Sequence, residues 1–362
     1  MDFKKLRLFI EKFRNEIIAV IFTGYGLYLR FVCLLNREFW RDEIYSLHFM
    51  KGAFKPFWQR IHYTDFTYFP GEYIINWPFV SFFKTNKLGI AIPHILFTLL
   101  GFYFLYLICK RYFHSIFAWI ATFVLVAVHR DLIFHSFELR PYAVLPTLAL
   151  GVFYFSEQIA SGRHRLSLAQ KIAIGSLFIF TSIYHVYGSI ILFCILAYFL
   201  LRELGTRTLG EIDRHNYRFI GVIVIVGTLL FLWYFLGNPY SSKGIGCEVF
   251  KYIPDPPVSL FGLIKSVLSC LAGKKTLYFL GIFLVFPFIL PFRDRLKQIN
   301  FLLILIVFPI MVILYIDLLV AYWFMQRQFA WVMPLFAFLI GWCIDSFIGF
   351  IQQKRKWKTS YL

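Results

Sequence analysis

Apolar runs separated by short polar breaks follow one another along nearly the whole chain. Residues 17–35, 89–109, 219–236, 301–324 and 329–351 have the length, roughly 17 to 25 residues, that a helix needs to cross about 30 Å of hydrocarbon. Residues 116–128, 142–155 and 277–290 predict shorter spans, and 260–271 a short apolar piece. The stretch 172–201 is too long for one ordinary span and is interrupted by Tyr184, His185, Tyr187 and Gly188, so it predicts a helical hairpin. Residues 72–83 are apolar but too short to cross comfortably; they predict a tilted, re-entrant or short helix closed by Lys84 and Lys87. No stretch alternates in the manner of a barrel strand. Backbone groups in lipid must be satisfied within their own segment, so the spans are expected to be helices. The expected fold is an all-α polytopic bundle of about ten to eleven transmembrane helices, with interfacial helices in the first external loop, about residues 36–71. One integral membrane domain over 1–362 is expected, with no separate soluble domain.

Composition agrees with that pattern. Hydrophobic residues make up 60% of the chain and charged ones 15%, more apolar surface than a single soluble core would hide. The formal charge is +18, from 37 Lys and Arg against 19 Asp and Glu. Because those basic residues cluster in short loops between spans, they read as anchors of the cytoplasmic face, with the bilayer and not nucleic acid as partner. The first run is long for a signal peptide and lacks a small-residue cleavage site, so it is expected to be retained. If 72–83 does not cross, Lys110/Arg111, Arg163/Arg165, Arg202 to Arg218, Arg293 to Lys297 and the C-terminal Lys/Arg cluster fall on the side of the N-terminus. Asp42, Asp65, Arg140, His185 and Arg327 then fall on the other. A multi-pass protein of a bacterial inner membrane, its site facing away from the cytoplasm, is the expected localisation. The six cysteines are scattered without metal-ligand spacing and read as buried bystanders.

The ionisable residues near membrane depth collect at the outer ends of different helices. An enzyme working at one face fits that placement better than a transporter, whose sites lie near the midplane between repeats, and no internal repeat is found. Asp42 and Glu43 adjoin, so on a helix they point in different directions and need not share one role. One can accept a proton from an attacking hydroxyl while the other orients a partner; the bland alternative is a polar pair solvating a helix end. Arg30, inside the first span, either snorkels to the external interface or pairs with Glu43. Arg140, in the run Ser136 to Tyr142 with Glu138, and Arg327 are cations able to fork onto a phosphate. His185 sits at the hairpin apex, Asp317 and Asp345 lie in late apolar runs, and Trp40 reads as an interfacial anchor. A divalent cation is an open cofactor option, with Asp42, Glu43, His62 and Asp65 as a loose ligand set whose spacing is not diagnostic.

Arg30, Trp40-x-Asp42-Glu43, the turn at Pro70, Ser136-x-Glu138-x-Arg140-x-Tyr142, His185-x-Tyr187-Gly188, and Arg327 followed by Pro334 occur in an order and at separations that resemble the GT-C superfamily of polytopic glycosyltransferases. The branch most similar is that of the protein O-mannosyltransferase and aminoarabinose-transferase-like families. The resemblance implies transfer of a sugar from a polyprenyl-phosphate donor to an acceptor hydroxyl, with Asp42 as the catalytic acid residue, Glu43 following it, and Arg140 and Arg327 holding the lipid phosphate. Arg30, Asp65, Glu138, Tyr142 and His185 complete the candidate substrate-binding set. The chain departs from the family pattern where Phe69-Pro70-Gly71 replaces His-Pro-Pro and where Ala91 replaces an arginine, so roles attached to those positions do not carry over. The acceptor is open, and the alternative function is a transporter or flippase for a lipid-linked sugar.

Overall fold

The computed structural model describes residues 11–53, 70–160, 166–205, 211–237, 260–272, 299–319 and 326–360, and among these the secondary structure is all helix joined by short turns, without a strand. In chain order the helices are α1 (Arg14–Asn36), α2 (Arg41–Met50), α3 (Pro70–Phe83), α4 (Lys87–Tyr112), α5 (Ile116–Val128), α6 (Arg130–Phe134), α7 (Leu145–Ala160), α8 (Leu168–Tyr184), α9 (Val186–Gly205), α10 (Glu211–Gly237), α11 (Leu260–Ala272), α12 (Asn300–Leu319) and α13 (Met333–Ser360). Short 3₁₀ turns, Pro141–Ala143 and Gln326–Phe329, precede α7 and α13. Among the described residues α1, α4 and residues 333–352 of α13 are long and apolar enough to cross a membrane, and several shorter apolar helices accompany them.

Prolines set two starts that differ from the hydropathy pattern. The run at 142–155 becomes helical only at Leu145, because Pro141 opens a 3₁₀ turn with Arg140 extended before it. The run at 329–351 becomes helical at Met333, where Pro334 occupies the first turn and has no N–H to leave unpaired, and the helix then runs on to Ser360. The long stretch at 172–201 does break, at a single residue: His185 is extended (φ −162°, ψ 162°) between α8 and α9. The expected span at 277–290 lies outside the described residues.

The bundle has two chemically distinct ends. At one, Lys87 at the start of α4 donates to the Arg37 carbonyl just past α1 at 2.6 Å. At the other, Tyr106 of α4 donates to Glu16 of α1 at 3.0 Å, so α1 and α4 run antiparallel. Helix α3 belongs to the first end at both its termini. Its N-terminus meets the last residue of α8 so closely that a Cβ on Gly71 would lie 2.7 Å from the Tyr184 Cα. Its C-terminus closes at Lys84 in the left-handed region (φ 56°), just before Lys87. A helix of 14 residues is roughly 21 Å long, and it lies across this end without reaching the other. Helix α5 sits between α1 and α13, and the large buried aromatics Trp119, Phe123, Phe153 and Phe338 fill the core around it.

Candidate functional site

Residues 37–43 turn one sequence pair into two separate devices. Glu43, in the first turn of α2, is fully buried; it accepts from the Trp40 N–H at 3.3 Å, from Arg37 at 2.7 Å and from the Leu139 N–H at 3.1 Å. Those three bonds fix the start of α2 to the segment before Arg140. One residue earlier, and so about 100° round the helix, the Asp42 side chain faces another way and is 29% exposed.

Asp42 Oδ2 is the point on which two distant guanidinium groups converge. Arg327, from the 3₁₀ turn before α13, donates to it at 3.2 Å, and an Arg140 terminal nitrogen lies 3.5 Å from it. Arg327 is flanked by two rings, with its guanidinium carbon 4.5 Å from the centroid of Trp40 and 5.4 Å from that of Tyr142. Trp40 is therefore half-buried packing for a cation and not a free interfacial anchor. The rings pack against the guanidinium of Arg327 while its Nη2 donates to Asp42.

Behind this trio lies a second layer of buried polar groups. Glu138 is fully buried and bonds His135 through Oε2, while its Oε1 has no hydrogen-bond partner. Glu72 is buried at the start of α3, with Oε1 likewise unpartnered. Burial pushes its carboxyl up to about 8, against the pull of Arg140 and helped by the nearby carboxylates Glu138 and Glu43. His185 accepts from the Tyr187 N–H through Nδ1 at 3.3 Å. Burial first, and Arg140 second, hold it down at about 3, so the imidazole is neutral with its hydrogen on Nε2. Its ring centroid is 6.3 Å from that of Tyr142, which links the hairpin apex to the Arg327 pocket.

Asp42, Glu43, Glu138, Arg140, Tyr142, His185 and Arg327 thus share one end of the bundle. Arg30 does neither of the things expected of it. It is buried and donates to the Gly26, Val126 and Ala127 carbonyls at 2.9, 3.1 and 3.2 Å, with its guanidinium over the Phe102 ring. The last carbonyls of α5 have no partner within their own helix, and Arg30 supplies the donors. Asp345 plays the converse part, accepting from the His114 and Ser115 N–H groups at the start of α5. Asp65 and His62 lie outside the described residues. No three His, Cys, Asp or Glu among the described residues are grouped to hold a metal ion. Asp42 beside two guanidinium groups and Glu43 beside a third make a poor fit for a divalent cation.

Sequence reasoning missed Arg37 and Glu72. Arg37 follows the first span directly, a position shared by many interfacial anchors. Glu72 opens an apolar run, and its only signal was an unpaired carboxylate two residues after Pro70.

A cleft opens beside the cluster, with Tyr142 in its wall together with Phe102, Val126, Leu150 and Pro334. Tyr142 is thus shared between the charged cluster and a mostly apolar hollow, while Arg30 lines the hollow further along. No family model matches the chain, and no curated protein is similar enough to count as a relative.

Proposed function

We propose that the chain is an integral membrane glycosyltransferase of GT-C type that transfers a sugar from a polyprenyl-phosphate donor to an acceptor hydroxyl, with inversion at the anomeric carbon. The single observation that carries the reading is the convergence of Arg140 and Arg327 on Asp42 from three separate parts of the chain. Two fixed guanidinium groups meet the charge that develops on a departing phosphate, and a partly exposed carboxylate beside them takes the acceptor proton. The acceptor oxygen bonds the anomeric carbon from one face as the bond from that carbon to the phosphate oxygen breaks on the other. The bonding pair leaves on the phosphate. On this reading the mostly apolar cleft beside Tyr142 receives the start of the isoprenoid tail.

The charge distribution supports a site facing away from the cytoplasm, in a bundle of about ten spans. The basic stretches of the sequence flank or join helix termini at the end opposite Asp42: before α1, at the end of α4, between α7 and α8, between α9 and α10, before α12, and at the close of α13.

The test is transfer from a defined polyprenyl-phosphate sugar by purified protein in lipid. Asp42→Asn is expected to lose about 10²–10⁴-fold in kcat while remaining folded and inserted. Normal transfer by that variant rejects the catalytic role. Donor translocation across vesicles with no sugar transferred, by the unaltered protein, favours the flippase.

A further inference from the structure

Resting on the reading above, we propose that Asp42 is an internal anion that holds the phosphate site and must be displaced by the donor, so that donor binding is what frees the carboxylate for the acceptor.

The geometry carries this. A guanidinium recognises a phosphate by presenting two parallel N–H groups to two of its oxygens. Arg140 and Arg327 approach from different segments, and the place where their terminal nitrogens come together is taken by one oxygen of the protein's own carboxylate, 3.5 and 3.2 Å away. While Asp42 Oδ2 stands between those two terminal nitrogens, a phosphate oxygen cannot bridge them. The rings of Trp40 and Tyr142 on Arg327 also restrict that cation's retreat. The movable partner is therefore Asp42, a short side chain already 29% exposed. Glu43 pins the first turn of α2 through Arg37, Leu139 and Trp40, so a rotation about the Asp42 side-chain bonds is enough and the helix need not shift.

The exchange orders the reaction. With the cations turned to the donor phosphate, the lone pairs of Asp42 are released to an acceptor hydroxyl. After transfer, the proton is on Asp42 and the phosphate leaving with its bonding pair carries one more negative charge than the donor did. Loss of that proton to solvent restores the carboxylate, which competes for Arg140 and Arg327 and helps to expel the product. Donor before acceptor is the resulting order.

The prediction runs against the usual expectation that removing a binding-site residue weakens binding. Farnesyl phosphate is titrated into the full-length protein in detergent, with farnesol as the uncharged control. Asp42→Asn is expected to bind farnesyl phosphate at least tenfold more tightly than the unaltered protein, and Asp42→Ser serves as a second variant if the first does not fold. The Arg140→Gln/Arg327→Gln double variant is expected to bind it at least tenfold more weakly, and farnesol is expected to distinguish none of them. Weaker binding by the arginine variant without tighter binding by either Asp42 variant overturns the displacement and leaves the phosphate site standing. Unchanged binding by the arginine variant removes the phosphate site itself. An equal gain for farnesol shows that the Asp42 variants act on the lipid pocket, and that too overturns the displacement. Tightening toward inorganic phosphate as well assigns the gain to the charged group alone, as the proposal requires; absence of any gain with that probe contradicts it.

Discussion

The two ends of the helical bundle handle buried charge in opposite ways. At the end away from Asp42, acids meet local partners: Glu16 accepts from Tyr106 and lies 3.7 Å from Lys110, Glu157 accepts from Tyr112 at 2.6 Å, and Asp345 caps α5. Each of these contacts ties one helix to another. At the Asp42 end the ties exist too, in Glu43 and Arg30, but they leave a surplus. Among the described residues, the charged side chains with a buried nitrogen or oxygen that lacks a hydrogen-bond partner are Arg30, Glu72, Glu138 and Arg327, and all four lie in this half. Unsatisfied buried polar atoms cost about 1–3 kcal/mol each, more when charged, so a fold built for stability alone would not gather them. Of the four, Arg327 reaches the partly open carboxylate of Asp42, and the others stand behind it.

The comparison can be broken most strongly at the convergent cations. Arg140→Gln/Arg327→Gln is expected to lower kcat/KM for the polyprenyl-phosphate donor by about 10²–10³-fold, the scale seen when fixed donors to a developing anion are removed. A loss below tenfold in the transfer assay makes the cluster structural, like its counterpart at the other end.

Arg30 tests the structural half of the Asp42 end. Arg30→Met leaves the last carbonyls of α5 without their donors and is expected to destabilise the protein by about 2–3 kcal/mol, since hydrogen bonds to a charged group contribute about 1.5–3 kcal/mol. Thermal unfolding in detergent measures it; an unchanged midpoint removes Arg30 from the scaffold.

Glu72 gives the comparison a pH dependence. In the unfolded chain its carboxyl ionises near 4.5, and in the folded chain burial keeps it protonated up to about 8. Across that window the folded state binds more protons than the unfolded one, so Glu72 subtracts stability progressively as pH rises from about 4.5 to about 8. Glu72→Gln is therefore expected to match the unaltered protein at pH near 4 and to unfold at higher temperature than it at pH near 8. Parallel melting curves at both pH values contradict the assignment.

The smallest effect belongs to the far end. Asp345→Ala removes the acceptor that caps α5 and is expected to cost about 0.5–2 kcal/mol in stability while leaving transfer kinetics unchanged. A change in donor KM would mean that the two ends are coupled.

Much of this arrangement was legible because polar residues in an apolar chain are conspicuous. Arg140 and Arg327 stood at the ends of apolar runs and Asp42 lay in the first polar excursion, so their meeting at one end followed from the alternation of spans once residues 72–83 were taken not to cross. The break at His185 was visible as a polar interruption in a run too long for one span. Other features depend on three-dimensional context. Which helix end would present free carbonyls to Arg30 depends on the packing of α1 against α5, which no local pattern encodes. Glu43 read as a partner of chemistry and is a tether, because the choice between the two adjacent acids is made by where Arg37 and the Leu139 N–H fall. Glu72 was hidden in the apolar run that carries it.

A double-mutant cycle on Asp42 and Arg327, read as kcat/KM for the donor, tests most directly whether these residues form one site. If they form one site, the loss in Asp42→Asn/Arg327→Gln departs at least tenfold from the product of the two single losses, because the two side chains touch in the unaltered protein. If the two losses multiply in full, the side chains act independently and the convergence on Asp42 is not the site.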